Sequence, residues 1–187
     1  MKIILTLFIL LFSSSVLADD ISDFEIEGMS VGDSLLDYFS KKEILENQMD
    51  WFENDEFKES VFLPNNDSSE YDDISIMYKN NDEKFIIESI QGGIFYIDNI
   101  EKCYLKKNEI IERVSNLLTE VEWKNHNYED EEGIFEFTYT RLKSGDVMHV
   151  ACYDWHNKTE KDKNWSDHLR VVIQSKEYSY WITIENR

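Results

Sequence analysis

Two short stretches carry residues that could do chemistry. Ser34 follows Gly32 and Asp33 and precedes Leu35, and Asp146-Val147-Met148-His149 offers a carboxylate and an imidazole three residues apart. A serine hydroxyl becomes a nucleophile when a histidine takes its proton and a carboxylate orients that histidine. Ser34 with His149 would make the chain a serine hydrolase. The flanking residues do not supply the rest of the machinery. The stretch before Gly32, Glu25-Ile26-Glu27-Gly28-Met29-Ser30-Val31, is no buried apolar strand, and Asn65-Asn66-Asp67 and Asn80-Asn81-Asp82 lie in turn-like segments without a glycine beside them.

The second group is denser. Tyr153, Trp155 and His156 stand just before a polar, lysine-rich segment, and Trp165 and His168 stand just after it. Histidines, acids and Cys152 together raise the question of a metal, but CxxC and HExxH are both missing. Acidic runs at 67–73 and 129–133 lack the spacing of a calcium loop with its central glycine. No catalytic set, metal or cofactor is therefore assigned. Trp155 and Trp165, at either end of that segment, read first as packing that anchors a loop; the group is also the candidate surface for a ligand or partner, since exposed aromatic residues are the usual anchors of interfaces.

Cys103 and Cys152 are the two cysteines. Residues 1–18 have the form of a secretory signal, with Lys2, the apolar run from Ile3 to Phe12, and Val16-Leu17-Ala18 as a cleavage site. That predicts export to the periplasm or the extracellular space, where a disulfide is the natural state of two cysteines. After cleavage no membrane insertion is expected, and residues 19–187 form a single domain. Asn66, Asn157 and Asn164 head Asn-x-Ser/Thr sequences that matter only in a host that glycosylates them.

The formal net charge is −20, and residues 19–90 alone carry 21 acidic against 5 basic side chains. Such a field repels a phosphate backbone or an anionic membrane surface, which excludes nucleic acid as the expected partner and leaves a protein or an envelope component. With 42% hydrophobic residues the chain still has the material for a packed core.

The pattern predicts the elements that position these residues. Ser30 as N-cap, with Asp33 three residues on, starts a short helix whose Val31, Leu35 and Phe39 share a face. Lys41 to Asn47 adds a second short helix. Strands are expected at 57–63, 74–78 and 85–90, with Asn80-Asn81-Asp82 as a hairpin turn and Gly92-Gly93 interrupting the last strand. Asp98 caps a long helix with Ile100, Tyr104, Ile111, Val114 and Leu118 at helical spacing. Strands follow at 135–139, 147–155, 169–173 and 178–184, with a loop over 157–166. The strand at 147–155 places Met148, Val150 and Cys152 on one face and His149, Ala151, Tyr153 and Trp155 on the other. The result is an α+β fold: a meandering antiparallel sheet of six to seven strands against a short N-terminal helix and one long central helix, which Cys103–Cys152 would staple to the sheet.

Several of these stretches resemble known families. The letters Gly32-Asp33-Ser34-Leu35 match the nucleophile signature of the GDSL hydrolases, and Asp146-x-x-His149 matches their late acid–base pair in letters. That family, however, needs a parallel sheet with alternating helices. Together, GMSVGDSLLDYFS, IEKCYLKKNEI and DHLRVVI resemble a family of small secreted bacterial proteins with no assigned activity. The opening Gly-Met-Ser is also similar to the start of the small outer-membrane assembly lipoproteins and of the β-lactamase inhibitor proteins. There, a Gly-Met-Thr/Ser turn caps a helix that leads into an antiparallel sheet. The present sequence has no cysteine after the cleavage site to take a lipid. The export signal, the cysteine pair and the lack of a coherent catalytic set point to a binding module for a protein or envelope partner, with a serine hydrolase using Ser34 and His149 as the alternative.

Overall fold

A computed structural model describes residues 21–51, 56–64, 69–97, 99–118 and 121–185. The expected signal sequence over residues 1–18, Asn66 and the expected cap Asp98 lie outside these residues. Among the described residues there are eight strands and four helices. The strands are β1 (Gln48–Met49), β2 (Phe57–Phe62), β3 (Asp73–Lys79), β4 (Ile87–Phe95), β5 (Lys124–Glu129), β6 (Gly133–Arg141), β7 (Val147–Trp155) and β8 (His168–Gln174). The helices are α1 (Lys41–Glu46), α2 (Ile100–Ser115), α3 (Asn157–Lys163) and α4 (Lys176–Tyr180).

All eight strands form one antiparallel sheet in the order β1-β2-β3-β4-β8-β7-β6-β5. Each half is a four-strand meander preceded by a helix, and the halves join where β4 pairs with β8. The α+β class is as expected, but the sheet exceeds the predicted six to seven strands. The additions are β1 and β5, whose residues are all exposed and so carry no in-out alternation to read.

One face of the sheet is covered. Phe62, Ile74, Ile76, Tyr78, Ile90, Met148, Val150, Cys152, Leu169, Val171 and Ile173 pack there with the N-terminal segment and α2. Helix α2 turns Ile100, Tyr104, Ile111 and Val114 inward, as their spacing predicted. Cys103 is bonded to Cys152, with Cα atoms 6.0 Å apart and both residues fully buried, so the helix is stapled to β7. Lys107 completes the seat by reaching Glu136 of β6 at 2.7 Å.

The helix expected from Ser30 is absent. Half of its cap forms, since the Ser30 N–H donates to the Asp33 carboxylate at 2.9 Å, but the Ser30 hydroxyl donates instead to the Phe24 carbonyl. The competing force is sheet-like pairing. Gly32 N–H bonds the Ile87 carbonyl, Ile87 N–H bonds the Asp33 carbonyl, and Leu35 N–H bonds the Phe85 carbonyl. Gly32 has φ +97°, which helical backbone never uses and glycine adopts without strain. Leu35 still faces the core. The capped helix comes later, at α1, where Ser40 and Glu43 form a reciprocal capping box.

Three other expectations change. Residues 157–163 are helical rather than loop, and the chain end is not a strand. The Ser175 hydroxyl caps α4, and a π-helical turn follows over Trp181–Glu185, so Tyr178 and Trp181 pack on Phe57 and Met77. Burying each such side chain contributes about 1.5–3 kcal/mol, which outweighs the strand propensity of the sequence. Gly92-Gly93 does not interrupt β4, which runs straight through; the irregular register lies between Met77 and Tyr78 of β3.

Candidate binding face

The other face of the sheet has no long helix over it. The C-terminal turns pack on one corner, Trp165 of the segment after α3 packs on Trp155, and two hollows remain on the face. Antiparallel sheets that face water on one side normally present polar side chains there. This face presents rings. The register places Phe95, His168, Tyr153, Phe135 and Tyr128 side by side across β4, β8, β7, β6 and β5. Their ring centroids are 6.1, 4.6, 5.7 and 4.8 Å apart in that order. Aromatic neighbours contribute about 0.5–1.5 kcal/mol per pair beyond area burial, so the row is a rigid platform.

Trp155 extends it. Its ring lies 5.1 Å from Phe135 and 4.5 Å from Trp165, which reaches over from the segment after α3. The buried Trp155 Nε1 has no hydrogen-bond partner among the described residues. His168 donates through Nδ1 to the Ser166 carbonyl at 2.8 Å, because a carbonyl only accepts, and Nε2 remains as the ring's acceptor.

The adjoining register row is charged. Asp73, Gly93 and Arg170 stand opposite one another across β3, β4 and β8. Arg170 grips Asp73 with both guanidinium nitrogens, the second at 2.9 Å. Gly93 makes this possible: a Cβ there would overlap Asp73 Oδ1 and lie 2.6 Å from Arg170 Nη1. On β2, Glu59 is 8% exposed, and burial pushes its carboxyl above the usual range against the hydrogen bond from Ser75.

Phe95 and His168 of the aromatic row and Asp73 and Arg170 of the charged row line a cleft of about 540 Å³. Met49, Trp51, Phe95, Ile97 and Trp165 ring it, and all five are exposed large apolar residues. A second hollow on the same face, lined by His126, Phe137, His149, Tyr153 and Tyr178, meets the first at Glu59. Of the residues singled out in the sequence, Tyr153, Trp155, Trp165 and His168 therefore come together. His156 does not: it precedes α3 and faces Glu129 at 3.9 Å. Trp51, Phe95, Glu59, Asp73 and Arg170 went unassigned, the only hint being a glycine pair inside a strand-like run.

Ser34 and His149 occupy separate surroundings. The Ser34 hydroxyl donates to the Lys84 carbonyl at 2.7 Å, and its backbone bridges to Ile86. His149 sits among the open-face rings, 6.0 Å from Phe137. No cluster of three or more His, Cys, Asp or Glu side chains suited to a metal occurs among the described residues. No described helix is long and apolar enough to cross a membrane.

Burial holds the imidazoles of His149 and His168 down at about 4. In the unfolded chain both titrate near pH ~6.5. Below that value the unfolded state binds protons that the folded state refuses, so stability present above pH ~6.5 is lost as the pH falls toward 4. Burial raises Asp167 to about 6, which acts in the opposite sense between pH 6 and its unfolded value and offsets part of the loss. Urea midpoints measured from pH 7 to 4 are expected to fall, and His168→Phe, which keeps the stack on Tyr153, is expected to flatten the decline. An unchanged slope in that variant would refute the assignment to His168.

In comparisons with known protein families, curated proteins and solved structures, none matches this chain.

Proposed function

We propose that this chain is an exported, non-catalytic binding module that docks a basic protein partner on the open face of its sheet. The observation that supports it best is the aromatic row with its apolar-rimmed cleft on the uncovered face. Phe95 and Tyr128 at the ends of the row and Trp51, Ile97 and Trp165 at the cleft stay exposed, and contiguous exposed apolar patches mark interaction sites. Tryptophan, tyrosine and arginine at a patch centre are the residue types that dominate binding energy. The net charge of −20 favours a cationic partner over any other protein. The signal-like residues 1–18 and the disulfide support work outside the cytoplasm, in the periplasm or beyond the cell. The proposal extends to kinship with the assembly lipoproteins and inhibitor proteins that the opening residues resemble.

The test is differential retention. Wild-type protein and the Trp51→Ala/Trp165→Ala variant are immobilised and challenged with the same periplasmic extract and culture medium. Both residues are exposed, so folding is expected to be kept. A protein held by the wild type, released by salt, and held at least about thirtyfold more weakly by the variant is the expected result. Equal retention by both would place the interface elsewhere.

A further inference from the structure

We propose that the junction of the two hollows, at Glu59, receives a lysine or arginine side chain of the partner. This inference rests on the reading of the open face as a docking surface and names what that surface anchors. Glu59 stands on β2 and lines both hollows. Among the described residues no ion pair reaches it: the nearby guanidinium, Arg170, is committed to Asp73 through two hydrogen bonds. Glu59, Asp73 and Arg170 line the same cleft, two carboxylates to one guanidinium. A largely buried carboxylate with no ion pair of its own is costly even with the Ser75 hydrogen bond, and an arriving cation reduces that cost.

The walls suit the rest of such a side chain. Met49, Val61 and Ile97 offer apolar surface to an aliphatic stem. Trp51, Phe95, Trp155 and Trp165 line the same cleft, and a ring within reach of a cation contributes about 0.5–2 kcal/mol depending on desolvation. Trp165 already takes one, since Lys163 Nζ lies 4.3 Å from its ring centroid. Burial raises the Glu59 carboxyl, and the Ser75 hydrogen bond and the Arg170 charge only partly oppose it.

Hexalysine serves as the probe, with its ε-acetylated counterpart as the uncharged control, read by calorimetry. Wild-type protein is expected to bind hexalysine and not the acetylated peptide. Generic attraction to an acidic protein is separated by a second variant of equal charge. Glu59→Gln is expected to weaken binding at least about tenfold, and Glu131→Gln, an exposed turn residue, is expected to change it less than about twofold. In unsubstituted protein, the indole N–H resonances of Trp155 and Trp165 are expected to shift on titration, while that of Trp123, bonded to Ser115, stays put. Equal effects of the two variants, or shifts that miss Trp155 and Trp165, would overturn the Glu59 anchor. The docking face would still stand if Trp51→Ala/Trp165→Ala lost its partner protein, so the two readings fail separately.

Discussion

Replacing both cysteines, Cys103→Ala with Cys152→Ala, is expected to lower the unfolding free energy by about 4 kcal/mol in the chain-entropy account of a closed loop of this length. The bond joins residues 49 apart and closes a loop that contains most of α2, all of β5 and β6, and most of β7. Its consequence is larger for α2 than for the sheet. Only Cys103 and Lys107 of the helix are buried, and the other inward residues are partly exposed. Strand β7, by contrast, is paired with β6 along its whole length and with β8 from Val147 to Tyr153. Hydrogen exchange in the reduced protein is therefore expected to lose protection across α2 while β7 and β8 keep theirs. Urea midpoints of oxidised, reduced and double-alanine protein give the magnitude. Coincident midpoints would mean that the covalent link adds nothing to noncovalent packing of the helix.

The same helix shows what can be read from residues alone. Its apolar spacing is local, and so is the alternation at 147–155, where Cys152 falls on the covered face and Tyr153 on the open one. Both were legible because each element has one buried side and one exposed side. Strand β5, Lys-Asn-His-Asn-Tyr-Glu, is exposed along its length and carries no such contrast. The stretch Tyr178-Ser179-Tyr180-Trp181-Ile182-Thr183-Ile184 fails for the opposite reason. It is rich in β-branched and aromatic residues, yet Tyr178 and Trp181 reach Phe57 and Met77 only from a helical backbone. Ser30 had a cap's chemistry but lost to backbone bonds with 85–87, a segment over fifty residues away. At the open face, Tyr153, Trp155, Trp165 and His168 were legible because they are close in sequence. Their extension through Phe95 and Phe135 to Tyr128 depends on strand order, which no local pattern encodes.

Arg170→Met is expected to cost about 3 kcal/mol, because breaking a largely buried pair leaves its other charge uncompensated. Asp73 and Arg170 are 97 residues apart in sequence and meet only because β4 lies between β3 and β8. Loss of the guanidinium would leave Asp73, 10% exposed at its side chain, facing Glu59 with no cation between them. Gly93→Ala is expected to reproduce part of the effect, about 1–3 kcal/mol, without removing either charge, since its Cβ would displace the pair. Converting both partners, Asp73→Leu with Arg170→Met, is expected to recover most of the stability, because the desolvation cost disappears with the charges. Urea unfolding of the four proteins therefore separates two roles for the same contact. If the double variant is as stable as the wild type but no longer holds the basic partner, the pair is kept for the charge pattern of the binding face. If the double variant stays as destabilised as Arg170→Met, the pair is what registers β3, β4 and β8 against one another, and the cleft above it follows from that register.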